Sequence, residues 1–417
     1  MHRLLLIALL LLSASNAAPP QRICGGLPND TFSVDGPPSI LALSFAGNAA
    51  YAVLDGRAGN RLTNPLPQYF LLNRLTRSCA GASGPAVSQP LAALVAAQTI
   101  VAADFNGDGI PDAASLSASP NRASIFLGDS TGALQPGASY NIGASPRSVV
   151  AADFNGDGKL DLAVADSGVS EGSDLGSIVI LIGNGDGSFQ TPSRFSAGTS
   201  PVSLVAADFN GDGKLDLAVA NAQSASVSIL LGNGDGTFRR GTEFFVDQGP
   251  YALIATDFNS DGRIDLAVSN RLSNTVAILL GNGDGTFQDP ISFPIAESPG
   301  FLASGDFNGD GKPDIAILFD STNTLAILLG SGDGFLARPV NYMVGSTPNS
   351  IALADLDGDG VLDILAPDPS SHSVLILWGK PDGTFDTAPL YPVGAAPASV
   401  AIADFNGDGI PDLVTPN

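Results

Sequence analysis

One motif recurs seven times at an almost fixed interval, and it constrains the fold more than any other property of the chain. Asp-Phe-Asn-Gly-Asp-Gly, with small changes, begins at Asp104, Asp153, Asp208, Asp257, Asp306, Asp355 and Asp404. Successive copies are 49 residues apart, except the second and third, which are 55 apart. A period of this size predicts stacked or radial units, each unable to bury its apolar face alone. Each unit reads as four short strands. In the third, the run from Ser203 leads into Asp208, Leu215 to Ala220 comes after the motif, and Val227 to Leu231 ends at a Gly-Asn-Gly-Asp-Gly turn. A last short run lies near Phe244 and Val246.

Four strands joined by tight turns in each period predict an all-β fold, a β-propeller of four-stranded blades. No unit holds the roughly ten to twelve residues of helical periodicity that a βαβ repeat needs. Small residues precede the leading Asp, as at Ala102-Ala103, Ala151-Ala152, Ala206-Ala207 and Ser304-Gly305, which suits inner strands crowded about an axis. Phe105, Phe154, Phe209, Phe258, Phe307 and Phe405 come directly after the leading Asp, and Phe189, Phe238, Phe287 and Phe385 close the glycine-rich turn. These rings are expected to pack between blades. Trp378 shares the register of Ile182, Leu231, Leu280 and Leu329 and is expected in the core. Seven intact loops favour seven blades. Counting a decayed copy at 38–96, where Ser39 to Phe45 mirrors Ser148 to Phe154 without the acids, gives eight. The last unit stops at Asn417 after two strands, so residues 30–96 are expected to complete it.

The chain begins with a targeting pattern. Arg3 precedes nine apolar residues, Leu4 to Leu12, and Ser15-Asn16-Ala17 offers small residues for cleavage before Ala18. The domain reading is therefore a signal peptide at 1–17, a lead-in at 18–37 and a propeller at 38–417. The expected location is secreted, or extracytoplasmic at the cell surface, with no membrane span. Cys24 and Cys79 are the two cysteines, and an even pair in an oxidising compartment is expected to bridge.

The acids are unevenly chosen. All but three of the 41 acidic residues are Asp, the exceptions being Glu171, Glu243 and Glu297. Each motif places oxygen donors at alternating positions, counted from its leading Asp. The candidate metal ligands of the first loop are Asp104, Asn106, Asp108, Ile110 and Asp112. Those of the second are Asp153, Asn155, Asp157, Lys159 and Asp161, and of the third Asp208, Asn210, Asp212, Lys214 and Asp216. The fourth has Asp257, Asn259, Asp261, Arg263 and Asp265, and the fifth Asp306, Asn308, Asp310, Lys312 and Asp314. The sixth has Asp355, Asp357, Asp359, Val361 and Asp363, and the seventh Asp404, Asn406, Asp408, Ile410 and Asp412. The seventh position varies freely and would act through its carbonyl. All-oxygen donors around a glycine-bent loop suit Ca2+, up to seven ions, better than Mg2+ or Zn2+. The spacing is similar to the start of an EF-hand, but position 12 is Ser115 or Val164 in the first two loops and the flanks are strands. Three like charges in each loop are costly to hold together without a counter-ion. A net charge of −23 also argues against nucleic acid or an anionic membrane as partner.

With these loops, the Leu162-Ala163-Val164 after one of them and Gly-Ala-Ser-Pro at 143–146, the chain resembles FG-GAP/VCBS repeat proteins. Those are related to the N-terminal propeller of integrin α subunits. The resemblance runs from about residue 98 to the end, with a faded copy from 38. It implies calcium in the hairpin loop between the first two strands of each blade, and binding or cell adhesion through extracellular protein or glycan. On that reading the ligand meets the opposite face. There the repeats differ, with Arg147, Val202, Tyr251, Gly300, Asn349 and Ala398 six residues before the leading Asp and Arg271 and His372 in nearby loops. The expectation is a binding module and no enzyme, with no catalytic residue assigned. The alternative is an extracellular polysaccharide lyase or hydrolase on a calcium-stabilised propeller. The mature chain would have His372 as its one histidine, which leaves little for a nucleophile–base arrangement.

Overall fold

The computed structural model describes Gln68–Tyr69, Leu91–Ala92 and most of residues 97–415, apart from 119–120, 131–132, 169–175, 296, 320–321, 346–347, 388–389, 393–396, 400 and 406–410. The targeting segment, the lead-in, both cysteines and nearly all of the decayed copy lie outside the described residues. Among the described residues no helix is long and apolar enough to cross a membrane.

Six sheets are antiparallel, with their strands in chain order across the blade. Blade one is Ala97–Ala103, Asp112–Ala118, Asn121–Gly128 and Leu134–Asn141. Blade two is Pro146–Ala152, Asp161–Asp166, Ser177–Leu181 and Ser193–Phe195. Blades three to five begin at Pro201, Pro250 and Pro299 and repeat the plan. In blade six the fourth strand comes in two pieces, Phe385–Thr387 and Tyr391–Pro392, both paired with Ser373–Gly379.

The blade number departs from expectation. Among the described residues six blades have four strands or more, where seven such blades, or eight, were expected. The seventh repeat gives a two-stranded sheet, Ala401–Ala403 with Asp412–Val414. The acidic motif marks only the first two strands of a unit, and no described strand pairs outside these two. Of the residues expected to complete the unit, Gln68–Tyr69 and Leu91–Ala92 are described, and they pair with each other. The first strands stand side by side around an axis, and Ala401–Ala403 lies between Ala352–Ala354 and Ala97–Ala103. The ring of inner strands therefore closes.

The second and third strands of blades two and three are almost wholly buried, because each blade is covered on both faces by its neighbours. Clusters between successive blades mix residues of both, as Leu116 and Ile125 of blade one pack with Val164 and Leu181 of blade two. The periodic phenylalanines sit at these joints. Phe105 meets Phe189 edge to face at 5.5 Å, Phe154 meets Phe238 at 5.6 Å, and Phe209 meets Phe287 at 5.6 Å. Each pair links the acidic loop of one blade to the turn of the next. A backbone bond accompanies it, from Gly187 N–H to Phe105 O at 3.0 Å and from Gly285 N–H to Phe209 O at 2.9 Å. Trp378 is buried, as expected.

Truncating one of these rings leaves a cavity between two blades. Phe154→Ala is expected to lower stability by about 3–5 kcal/mol, read as a reduced midpoint in equilibrium denaturation.

Candidate functional site

The acidic loops and the turns between third and fourth strands share one end of the sheets. In the second loop, Asp153 Oδ1 accepts from Gly156 N–H at 2.7 Å and Oδ2 from Gly158 N–H at 2.8 Å. Both glycines hold a left-handed backbone, φ 75° and 82°, which bends their amides toward that carboxylate. Asn155 Oδ1 accepts from Asp157 N–H at 2.9 Å, and Asp157 Oδ1 accepts from Lys159 N–H at 3.0 Å. Ser260 stands where the other loops have the first of these glycines, and it keeps the conformation at φ 58°.

The carboxylate at position 9 ties the loop to the rest of its blade. Asp161 Oδ2 accepts from Phe154 N–H at 2.9 Å, and Oδ1 accepts from Gly183 N–H, in the turn before the fourth strand, at 2.7 Å. Asp112, Asp216, Asp265, Asp314 and Asp363 repeat both bonds, the turn donors being Gly128, Gly232, Gly281, Gly330 and Gly379. In the seventh repeat Phe405 N–H reaches Asp412 Oδ2 at 3.0 Å. Its Asn406, Asp408 and Ile410 lie outside the described residues.

These position-9 groups are almost fully buried. Burial pushes Asp112, Asp161, Asp216 and Asp265 up to about 6, against the pull of their two amide bonds, and neighbouring loop carboxylates add to the rise. Asp314 is raised for the same reasons. Asp363 is pushed to about 7, again chiefly by burial, with Asp357 and Asp355 adding charge. In the sixth loop Asp355, Asp357 and Asp363 offer oxygens within 4.8 Å of one another. The convergent positions there are 1, 3 and 9. Asp359, at position 5, stands outside this group, and its Oδ1 takes the Val361 N–H at 2.9 Å. The donor set is all oxygen, which fits a hard divalent cation and gives a soft one nothing to prefer.

The other end of the sheets carries the variable positions. Arg147, Val202 and Tyr251 each fall at a register shift near the start of a first strand, between Pro146 and Ser148, Pro201 and Ser203, and Pro250 and Ala252. Such bulges leave one residue unpaired in the ladder and re-aim its side chain. Arg147 is exposed and its Nε donates to Ser167 Oγ at 3.4 Å, whereas Gly300 is buried. The densest grouping spans blades four and five. The Arg271 guanidinium lies 4.3 Å from the Tyr251 ring centre, and that ring meets Phe301 edge to face at 5.2 Å. Leu272, next in sequence to Arg271, is 77 % exposed. His372 is exposed in blade six.

Sequence reasoning misses the polar residue that ends several of the apolar second strands. Asp166, fully buried, accepts from Ala144 and Ser145 N–H at 3.0 and 2.8 Å and from Arg194 Nη1 at 3.1 Å. Asn221 accepts from Gly198 N–H at 3.0 Å. A Cβ on Gly143 would overlap the Asp166 carboxyl at 1.7 Å, so the loop there passes too close for any larger residue. The signal is a lone Asp or Asn after Leu-Ala-Val-Ala.

A model of the FG-GAP-like repeat matches 104–164, 167–219, 209–268, 257–317, 306–366 and 367–415. The chain belongs to the FG-GAP-like repeat family. None of the curated protein sequences compared with it matches. Among solved structures, this FG-GAP-like chain is similar to the periplasmic gluconolactonase PpgL of Pseudomonas aeruginosa. The identity is 19 %, over 75 % of this chain and 87 % of that one, with a TM-score of 0.53. A proposed 6-phosphogluconolactonase from Bacteroides uniformis matches at 16 % identity over 74 % of this chain and 90 % of its own, TM-score 0.56. BBS1N, solved in complex with ARL6DN, matches at 11 % identity over 75 % of this chain and 86 % of its own, TM-score 0.54. At these identities the likeness is one of fold. It does correct the expectation of no enzyme, because propellers of this shape include proteins named as lactonases. Regular blades leave the rims free to vary, so repetition is no argument against catalysis.

Removing a position-9 carboxylate orphans two amides. Asp216→Ala is expected to cost on the order of 2–4 kcal/mol, measured by chemical denaturation. The pH effect comes from the raised values. Carboxyls that hold protons more tightly when folded stabilise the metal-free fold at low pH. That contribution is lost as pH rises from about 4 to about 7, so the melting temperature in excess chelator is expected to fall over this range.

Proposed function

We propose that this FG-GAP-like chain is an exported, calcium-loaded propeller whose rim opposite the acidic loops holds an extracellular protein or glycan. The convergence of Asp355, Asp357 and Asp363 within 4.8 Å carries the metal half of the reading. In the sixth loop Asp355 Oδ1 takes two backbone bonds, but Asp355 Oδ2 and both Asp363 oxygens take one each and keep a second lone pair, so the loop's own bonds and a bound cation are compatible. A divalent ion also offsets the charge that burial makes costly at position 9. Up to seven loops have the donor types for it.

The binding half is supported by the bulges. They release a different side chain from the ladder in successive blades, while the pairing beneath stays the same. Tyr251, Phe301 and Arg271 offer a stacked aromatic and cationic surface beside exposed Leu272. Aromatic rings and a guanidinium suit either a sugar face or a protein anchor residue.

The test begins with equilibrium dialysis of the processed chain against Ca2+. Several ions per chain are expected, with a melting temperature that drops sharply in excess chelator; no uptake and an unchanged melt would refute the metal reading. A glycan array and a screen of extracellular proteins come next, with Tyr251→Ala/Arg271→Ala alongside. Binding that is lost in the variant supports the rim, and binding that survives it intact removes the rim from the proposal. The same preparation is assayed on gluconolactone, with and without calcium, because two fold neighbours are named for lactone chemistry.

A further inference from the structure

Position 7 of the acidic loop, free to vary in sequence, is not free in space. In blades two to five it is a cation, and its head pairs with the position-5 carboxylate of its own loop. Lys159 Nζ is 3.5 Å from Asp157, Lys214 Nζ 3.8 Å from Asp212, Arg263 Nη1 3.6 Å from Asp261, and Lys312 Nζ 3.5 Å from Asp310. The stem of each lies across a glycine in the turn of the same blade. A Cβ on Gly185 would come 2.7 Å from Lys159 Cδ, on Gly234 3.0 Å from Lys214 Cδ, on Gly283 3.2 Å from Arg263 Cδ, and on Gly332 2.8 Å from Lys312 Cδ. Blades one and six differ at both places together. Position 7 is Ile110 and Val361, and the turn residue is Ser130 and Pro381. In these six blades the cation and its glycine seat thus come as a set or not at all.

These pairs are half exposed, and exposed pairs of this kind contribute little to stability. They do change the charge that a second cation meets in the loop. We infer that the loops form two classes. In blades two to five the tethered Lys or Arg is a resident counter-ion that weakens divalent-ion uptake, whereas blades one and six lack it and load first. Blade six loads most tightly, because Asp357 replaces the Asn of the other described loops and completes three carboxylates within 4.8 Å. This order of loading rests on the calcium reading above. A like charge a few ångströms away on a solvated surface weakens binding by roughly tenfold.

The test is calorimetric titration of Ca2+ into the chelator-stripped full chain, with native mass spectrometry to count ions at each step. The wild type is expected to show a tight group and a group about tenfold weaker. Lys159→Met/Lys214→Met/Arg263→Met/Lys312→Met is expected to draw the weak group toward the tight one without changing the ion count. Asp357→Asn is expected to remove the tightest step, and Val361→Lys, a single change in the same loop, to weaken it about tenfold. One uniform class in the wild type, or a tight step that ignores both blade-six changes, overturns the inference and leaves calcium binding standing. Failure to take up any ion overturns the calcium reading, and the two classes with it.

Discussion

A carboxylate with no access to water must have its oxygens bonded, or the strands around it come apart. In six blades an Asp in this position joins three pieces of chain: its own strand, the acidic loop through the Phe or Leu amide, and the turn before the fourth strand through a Gly amide. The next blade is fastened to the same place. Its turn amide bonds the carbonyl of the loop phenylalanine, and its turn phenylalanine meets that ring edge to face. Stability within a blade and contact between blades therefore meet at one buried acid. The cost is electrostatic. Burial alone drives these groups toward protonation, and the loop carboxylates beside them push the same way. A bound divalent cation would offset both effects, so the metal proposal and the fold are hard to separate.

The two ends of each sheet are put to different uses. At the loop end positions 1, 5 and 9 stay Asp from blade to blade, because their carboxylates accept the same backbone bonds in the first six loops. At the other end a second buried tie, Asp166 or Asn221, holds the connection into the first strand, and the bulge just beyond it releases one residue from pairing. The released residue can change without disturbing the ladder. Arg147, Val202 and Tyr251 are an example of that freedom, and Arg271 over Tyr251 shows a surface built from the bulged first strand and a loop of one blade.

Much of this is legible in the sequence. Strand order, inner small residues, the phenylalanine joints and the buried Trp378 come from the period and from the types of residue it repeats. Loop chemistry is legible in part. Spacing marks position 9 as a candidate metal ligand but hides its role as a structural acceptor, because the turn donor lies 16 to 22 residues away. Spacing also gives position 5 the same weight as positions 1, 3 and 9, since it cannot show that Asp359 stands apart from Asp355, Asp357 and Asp363. Among the described residues, counting motifs overstates the number of full blades, because a motif marks the first two strands of a unit and says nothing of the outer two. Having His372 as the one histidine after export points away from catalysis, an expectation that the lactonase-named propellers of the same shape correct.

The most direct measurement is residue-resolved hydrogen exchange at the amides of Phe154, Phe209, Phe258 and Phe307, each bonded to a position-9 carboxylate. With Ca2+ saturating, these amides are expected to be protected together at the level of the core strands. In excess chelator near neutral pH they should lose that protection as a group, ahead of the buried strands. Equal protection of these four amides in both conditions would contradict the claim that a neutralising cation holds the buried acids in place.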